Sequence, residues 1–179
     1  IRIMKALIIY YTKSGHSKDY AETISSRVDG TLINIKDVKK NHISEHDVIV
    51  FVSSVYGNKI NKIEKYLKWY NKFENKDWII CRVGMSPASQ DARELEIITN
   101  GLDDYHIRYY QLTGGFDIKK VPFPYNLIMK IGLKRASASG DFGEAAKANA
   151  ENILKYPMNY NDLAGIEKVV SVIRKLMGR

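Results

Sequence analysis

The chain has 179 residues, of which 45% are hydrophobic, a formal net charge of +8 at pH 7 and one cysteine. That length holds one well-buried core but would cramp two ordinary domains, so a single domain across 1–179 is expected. Lone Cys81, flanked by an apolar run, excludes an internal disulfide and reads as a buried, inert thiol of a reducing compartment. No stretch reaches the roughly 20 apolar residues that cross a bilayer and no signal-like segment opens the sequence, which makes a cytoplasmic location the expectation. The positive charge favours acidic partners such as phosphates, nucleic acid or anionic lipid and says nothing about fold.

Apolar, β-branched runs alternate with segments of helical period, the pattern of βαβ units around a parallel sheet. Lys5 to Tyr11 is the first expected strand, and a helix from Ser17 to Val28 follows with Tyr20, Ala21, Ile24 and Val28 in one stripe. Thr31 to Ile35 reads as a short second strand, and Asp47 to Ser53 as a third that is apolar on both faces and therefore central. Ile60, Ile63, Leu67 and Tyr70 give the next helix its core face, and Trp78 to Val83 forms a fourth strand. Ala92, Leu95, Ile98 and Leu102 mark a further helix, Ile107 to Leu112 the fifth strand, and Leu163, Ile166, Val169, Val170 and Ile173 the buried side of a closing helix.

Residues 118–160, between the fifth strand and the last helix, exceed the few residues a compact α/β connection needs, which marks the segment as an insertion with a function. Its first half, Ile118 to Arg135, carries Lys119, Lys120, Lys130, Lys134 and Arg135 and no acidic residue. Tyr125 to Arg135 has a helical pattern in which Asn126, Lys130 and Lys134 make a narrow polar stripe, while Tyr125, Leu127, Ile128, Met129, Ile131 and Leu133 cover most of the remaining surface. Ser137 to Gly143 reads as a turn region, and Glu144 to Leu154 as a short helix.

The turn after the first strand, Thr12-Lys13-Ser14-Gly15-His16-Ser17, combines hydroxyls with one glycine just before a helix. Backbone amides of Ser14 to Ser17 at a helix N-terminus, with the hydroxyls of Thr12, Ser14 and Ser17, suit an oxyanion such as phosphate. The plainer reading makes Ser17 an N-cap and the other hydroxyls solvated. The G-x-x-x-x-G-K-[ST] loop of nucleotidases and the G-x-G-x-x-G loop of dinucleotide folds are both absent. Four scattered histidines, His16, His42, His46 and His106, lack metal-ligand spacing and read as surface or cap residues. No reader motif for nucleic acid accompanies the dispersed basic residues.

The run IIYYTKSGHS resembles the FMN phosphate loop of flavodoxins, where T-x-S-G-x-[ST] follows the first strand. A second stretch agrees, because Ser53-Ser54-Val55-Tyr56-Gly57 follows the third strand where flavodoxin-like proteins carry the loop along the isoalloxazine ring. The resemblance implies a doubly wound sheet of five parallel strands in the order 2-1-3-4-5, with the insertion after strand five. It also implies FMN as cofactor, Tyr56 against the flavin, and a Gly57 peptide able to reorient toward it. A third flavin contact is implied at Gly84-Met85-Ser86. Ordinary flavodoxins place a stacking aromatic in that region, so one ring face is open here unless Met85, Tyr109, Phe116 or Phe123 covers it. Tyr125 to Ile131 and Ala136 to Gly140 are similar to the insertion of the menaquinone-dependent protoporphyrinogen oxidase branch. That similarity implies an oxidoreductase whose donor and acceptor include a porphyrinogen and a quinone. The alternative is an electron shuttle between redox proteins, although classical shuttles are acidic and this chain is basic. The insertion, through residues 119–135, either contacts a membrane face or packs on the domain.

Overall fold

The computed structural model describes residues 2–13, 15–116, 118–120, 123–139, 143–155 and 158–179. In chain order its strands are β1 (Ala6–Tyr11), β2 (Thr31–Asn34), β3 (Val48–Tyr56), β4 (Lys59–Ile60), β5 (Asp77–Gly84), β6 (Ile107–Phe116) and β7 (Met158–Asn161). The helices are α1 (His16–Val28), α2 (Lys40–Ser44), α3 (Ile63–Tyr70), α4 (Gln90–Thr99), α5 (Tyr125–Ser139), α6 (Glu144–Lys155) and α7 (Leu163–Leu176). They form an α/β fold.

Strands β2, β1, β3, β5 and β6 lie side by side and parallel, in the order expected for the five strands. Ala6 to Ile9 of central β1 and Val48 to Val52 of β3 are apolar without a break because both faces of a parallel sheet are covered by helices. Residues two apart share a face: Ala6, Ile8, Val50, Val52 and Cys81 pack with Ile24 of α1 and Val169 and Ile173 of α7, whereas Leu7, Ile9, Ile49, Phe51, Trp78 and Ile80 pack with Ile63 and Tyr66 of α3. Each fully buried Ile or Val of α7 contributes about 1.5–3 kcal/mol by leaving water. Tyr66 belongs to this core through its ring and reaches its polar end to two strands, donating to the carbonyls of Ile49 and Ile79.

Two antiparallel pieces extend this sheet beyond the expected five strands. The third strand runs through Ser53 and on to Tyr56 instead of breaking into a loop, because Gly57 and Asn58 both adopt positive φ (52° and 67°) and fold the chain into a two-residue hairpin with β4. Ile60, assigned by its spacing to a helix face, is therefore a buried strand residue. At the other end of the insertion, β7 pairs antiparallel with β6.

The most informative departure is α4. Leu95 and Ile98, expected in the core, are 50% and 65% exposed, and the inward face carries Glu96 instead. The reason is Arg82: period two puts it on the same buried face as Trp78 and Ile80, and a buried guanidinium requires a carboxylate opposite it. α5 departs similarly. It continues through the expected turn at Ser137 to Ser139, and it exposes Leu127, Ile128 and Ile131, while the partly buried side includes Asn126, Met129, Lys130 and Leu133. Leu163 at the start of α7 is also exposed. His46, expected at the surface, is buried between His42 O and Thr31 Oγ1.

Candidate functional site

The carboxyl ends of the parallel strands open on a cleft of about 320 Å3, the edge at which open α/β sheets bind ligands. Its walls are His16 and Ser17 at the start of α1, Ser54 to Asn58 at the β3–β4 turn, Arg82 to Ser86 at the end of β5, Glu96 of α4, Gly115 of β6 and Met129 of α5.

The first wall follows from the turn after β1. Thr12 Oγ1 accepts the Gly15 N–H at 2.8 Å, which closes the turn, and Gly15 takes φ 94° as the N-cap of α1. Ser17 is thus inside the helix and not its cap, and it is buried against the cleft. Gly15, the N-cap, has no side chain with which to cap α1, and a helix N-terminus of this kind suits an anion. Of the expected cradle, His16 and Ser17 border the cleft, Thr12 and Gly15 shape the turn beside it, and Ser14 lies outside the described residues.

Lys13 projects from this turn to join two other elements. Its Nζ stands 4.7 Å from the centroid of the Tyr56 ring and 3.5 Å from that of Tyr125, the first residue of α5. Partial burial, and secondarily the charge of Lys62, hold its pKa below the ordinary lysine value. Burial, with a smaller contribution from Tyr11, pushes the Tyr56 phenol upward.

The second wall is the β3–β4 hairpin. Ser54, Val55, Tyr56 and Gly57 border the cleft, but Ser53 does not: alternation along β3 turns it inward, where it is fully buried and donates to Asn61 O at 2.8 Å. Asn61 fastens the hairpin further by donating its side-chain amide to Ser54 O and Ser54 Oγ. From the opposite side Asn100, at the end of α4, accepts the Ile60 N–H and donates to Asn58 O and Glu96 O.

Gly84, Met85 and Ser86 line the third wall, and beneath them lies a polar floor that sequence reasoning missed. Arg82 is fully buried; its Nε donates to the Glu96 carboxylate at 3.0 Å and its Nη1 to the carbonyls of Ser86 and Leu112 at 3.2 Å. Glu96 also accepts from Tyr109 Oη at 2.6 Å, and burial, followed by this carboxylate, drives the Tyr109 phenol far above its usual pKa. Tyr109 is accordingly a core residue beneath α4, and Phe123 is 77% exposed. A Cβ on Gly84 would stand 2.7 Å from Val55 Cγ1 and 3.0 Å from Arg82 Nη1, so any larger residue must displace one of these side chains where the chain passes over the guanidinium. Arg82 Nη2 has no hydrogen-bond partner among the described residues, a state that costs about 1–3 kcal/mol or more for a buried donor.

Met129 of α5 was also missed as a cleft residue, because the insertion's placement is a tertiary fact. It packs with Leu133, Met85 and Leu154 around buried Ile118, which fixes the insertion against the third wall.

Residues 7–123 match the flavodoxin domain family. The chain is 36% identical over 158 residues to a protein of Methanocaldococcus jannaschii described as uncharacterized, an alignment covering 85% of this chain and 99% of that one. Among solved structures it resembles a flavodoxin from the domain Archaea (20% identity, TM-score 0.44, 84% of this chain and 96% of that). It also resembles the two-electron reduced flavodoxin of Megasphaera elsdenii (13% identity, TM-score 0.47, 82% and 98%). The residues present fit a phosphorylated flavin: a helix N-terminus opened by a glycine N-cap for an anion, an aromatic residue and a methionine along the cleft, and a buried donor without an acceptor among the described residues. The family match, spanning more than half of the sequence, makes this chain a member of the flavodoxin domain family, with FMN as its cofactor.

Proposed function

We propose that the chain is an FMN-dependent oxidoreductase that exchanges electrons with an apolar partner of the quinone or porphyrinogen kind, as in protoporphyrinogen oxidase-like proteins, at the face of an anionic membrane. When bound, FMN supplies the electron chemistry, and the protein supplies binding, orientation and electrostatics. Here the α1 N-terminus, with His16 and Ser17, would hold the phosphate, while Tyr56, Gly57 and the Gly84 to Ser86 segment would border the ring. The single observation that carries the choice of partner is α5: its Met129 borders the cleft while Leu127, Ile128 and Ile131 on the same helix face solvent. Apolar side chains exposed beside a cofactor cleft suit a hydrophobic partner, and the neighbouring Lys119, Lys134 and Arg135 suit anionic headgroups.

The test is turnover of FMN-loaded protein with defined porphyrinogen and quinone pairs, using Ile128→Glu, Ile131→Glu. The double variant is expected to keep FMN, lose most turnover and bind anionic vesicles more weakly, with wild-type vesicle binding falling as salt rises. A shuttle between redox proteins would instead give wild-type turnover no higher than free FMN, and unchanged exchange with a protein reductase in the variant. That pair of results would overturn the oxidoreductase reading.

A further inference from the structure

We propose that Arg82 Nη2 is a donor reserved for an acceptor oxygen on the ring of bound FMN, which makes Arg82 a specificity residue and a determinant of the reduction potential. The inference rests on FMN occupying the cleft. Three features carry it. Arg82 lines the cleft while being fully buried, so water does not freely serve its donors. Its Nε and Nη1 are committed to Glu96, Ser86 O and Leu112 O, which fixes the guanidinium plane and leaves Nη2 as the buried polar side-chain atom without a partner among the described residues. Gly84 keeps the chain above it free of a side chain that would press on Nη1.

The ring suits this donor better than the phosphate does. The anion site lies on the turn after β1, and β1 is separated from β5 by β3, a lateral offset of roughly 10 Å at neighbouring-strand spacing. The flavin ring carries carbonyl oxygens that gain electron density on reduction. A fixed cationic donor therefore binds the reduced ring more strongly than the oxidised ring, and so raises the potential.

The experiment compares wild type with the double variant Arg82→Met, Glu96→Gln, which replaces the buried pair by neutral groups of similar volume. Apoproteins are titrated with FMN and with riboflavin, and the holoproteins are then titrated for midpoint potential. The expected result is a folded variant by circular dichroism that binds both flavins at least about ten-fold more weakly, by the same factor, and has a lower potential. Wild-type affinities and potential in the folded variant would overturn the inference, and so would a loss confined to FMN, which would assign Nη2 to the phosphate. If the variant does not fold, guanidinium 15N resonances of wild type decide: those of Arg82 are expected to shift and exchange more slowly on adding riboflavin, and no change sinks the proposal. Failure of wild type to bind either flavin would instead defeat the FMN reading itself.

Discussion

One ammonium joins three elements: Lys13 Nζ lies 3.5 Å from the centre of the Tyr125 ring and 4.7 Å from that of Tyr56, linking the first turn, the end of β3 and the inserted helix. Cation–aromatic contacts of partly exposed groups are worth about 0.5–1 kcal/mol. Tyr125→Leu should therefore loosen the first turn and speed FMN dissociation by roughly two- to five-fold. Stopped-flow release of FMN measures this, and an unchanged rate would mean that the contact does not restrain the turn.

Ser17 sits in the first turn of α1 at the edge of the cleft, and Thr12 Oγ1 holds the amide of Gly15. Ser17→Ala, Thr12→Val should weaken FMN by about ten-fold or more, since hydrogen bonds to a charged group are worth roughly 1.5–3 kcal/mol, and should leave riboflavin nearly unaffected. Parallel titrations with both flavins decide it. Equal losses for the two would remove the phosphate from this turn.

Gly84 passes within 3.0 Å of Arg82 Nη1 when a Cβ is added, and within 2.7 Å of Val55 Cγ1. Gly84→Ala must push the hairpin or the guanidinium aside, and overpacking of this kind costs about 1–3 kcal/mol. Thermal unfolding should show the loss in the apoprotein. A melting temperature equal to wild type would show that the wall yields easily.

Cys81 is fully buried in β5, and desolvation alone raises its thiol far above the usual range, so it stays protonated throughout the ordinary pH range. A thiol reagent should label native protein slowly at pH 8, and labelling should accelerate with urea in step with unfolding. Rapid labelling without denaturant would contradict the burial.

The parallel sheet was legible in the sequence because strands covered on both faces must be apolar throughout, as in Val48 to Val52. α4 was not legible. Its aliphatic spacing suggested an inward stripe of Leu95 and Ile98, but the true inward residue, Glu96, is chosen by Arg82, fourteen positions earlier on another element, and no local pattern announces that pairing. The site divides the same way. Tyr56 and Gly57 were readable from a local motif, whereas Asn58, Arg82, Glu96 and Met129 reach the cleft only through tertiary placement. Ser53 was misplaced because the strand continues past it, and alternation then turns its hydroxyl toward Asn61.

Glu96 of α4 and Asn100, which caps the end of that helix, stand four residues apart, and between them they hold opposite parts of the cleft: Glu96 grips the Arg82 floor, and Asn100 grips the hairpin at its mouth through Ile60 and Asn58. Asn58 O is thus held from α4 while Tyr56 and Lys59 stay paired across the turn, so both ends of the two-residue hairpin are anchored. A helix that touches both floor and mouth ties the position of the buried donor to the geometry of the hairpin. Distant substitutions on the exposed side of α4, at Leu95 or Ile98, are thereby placed one rigid body away from the cofactor's electrical surroundings.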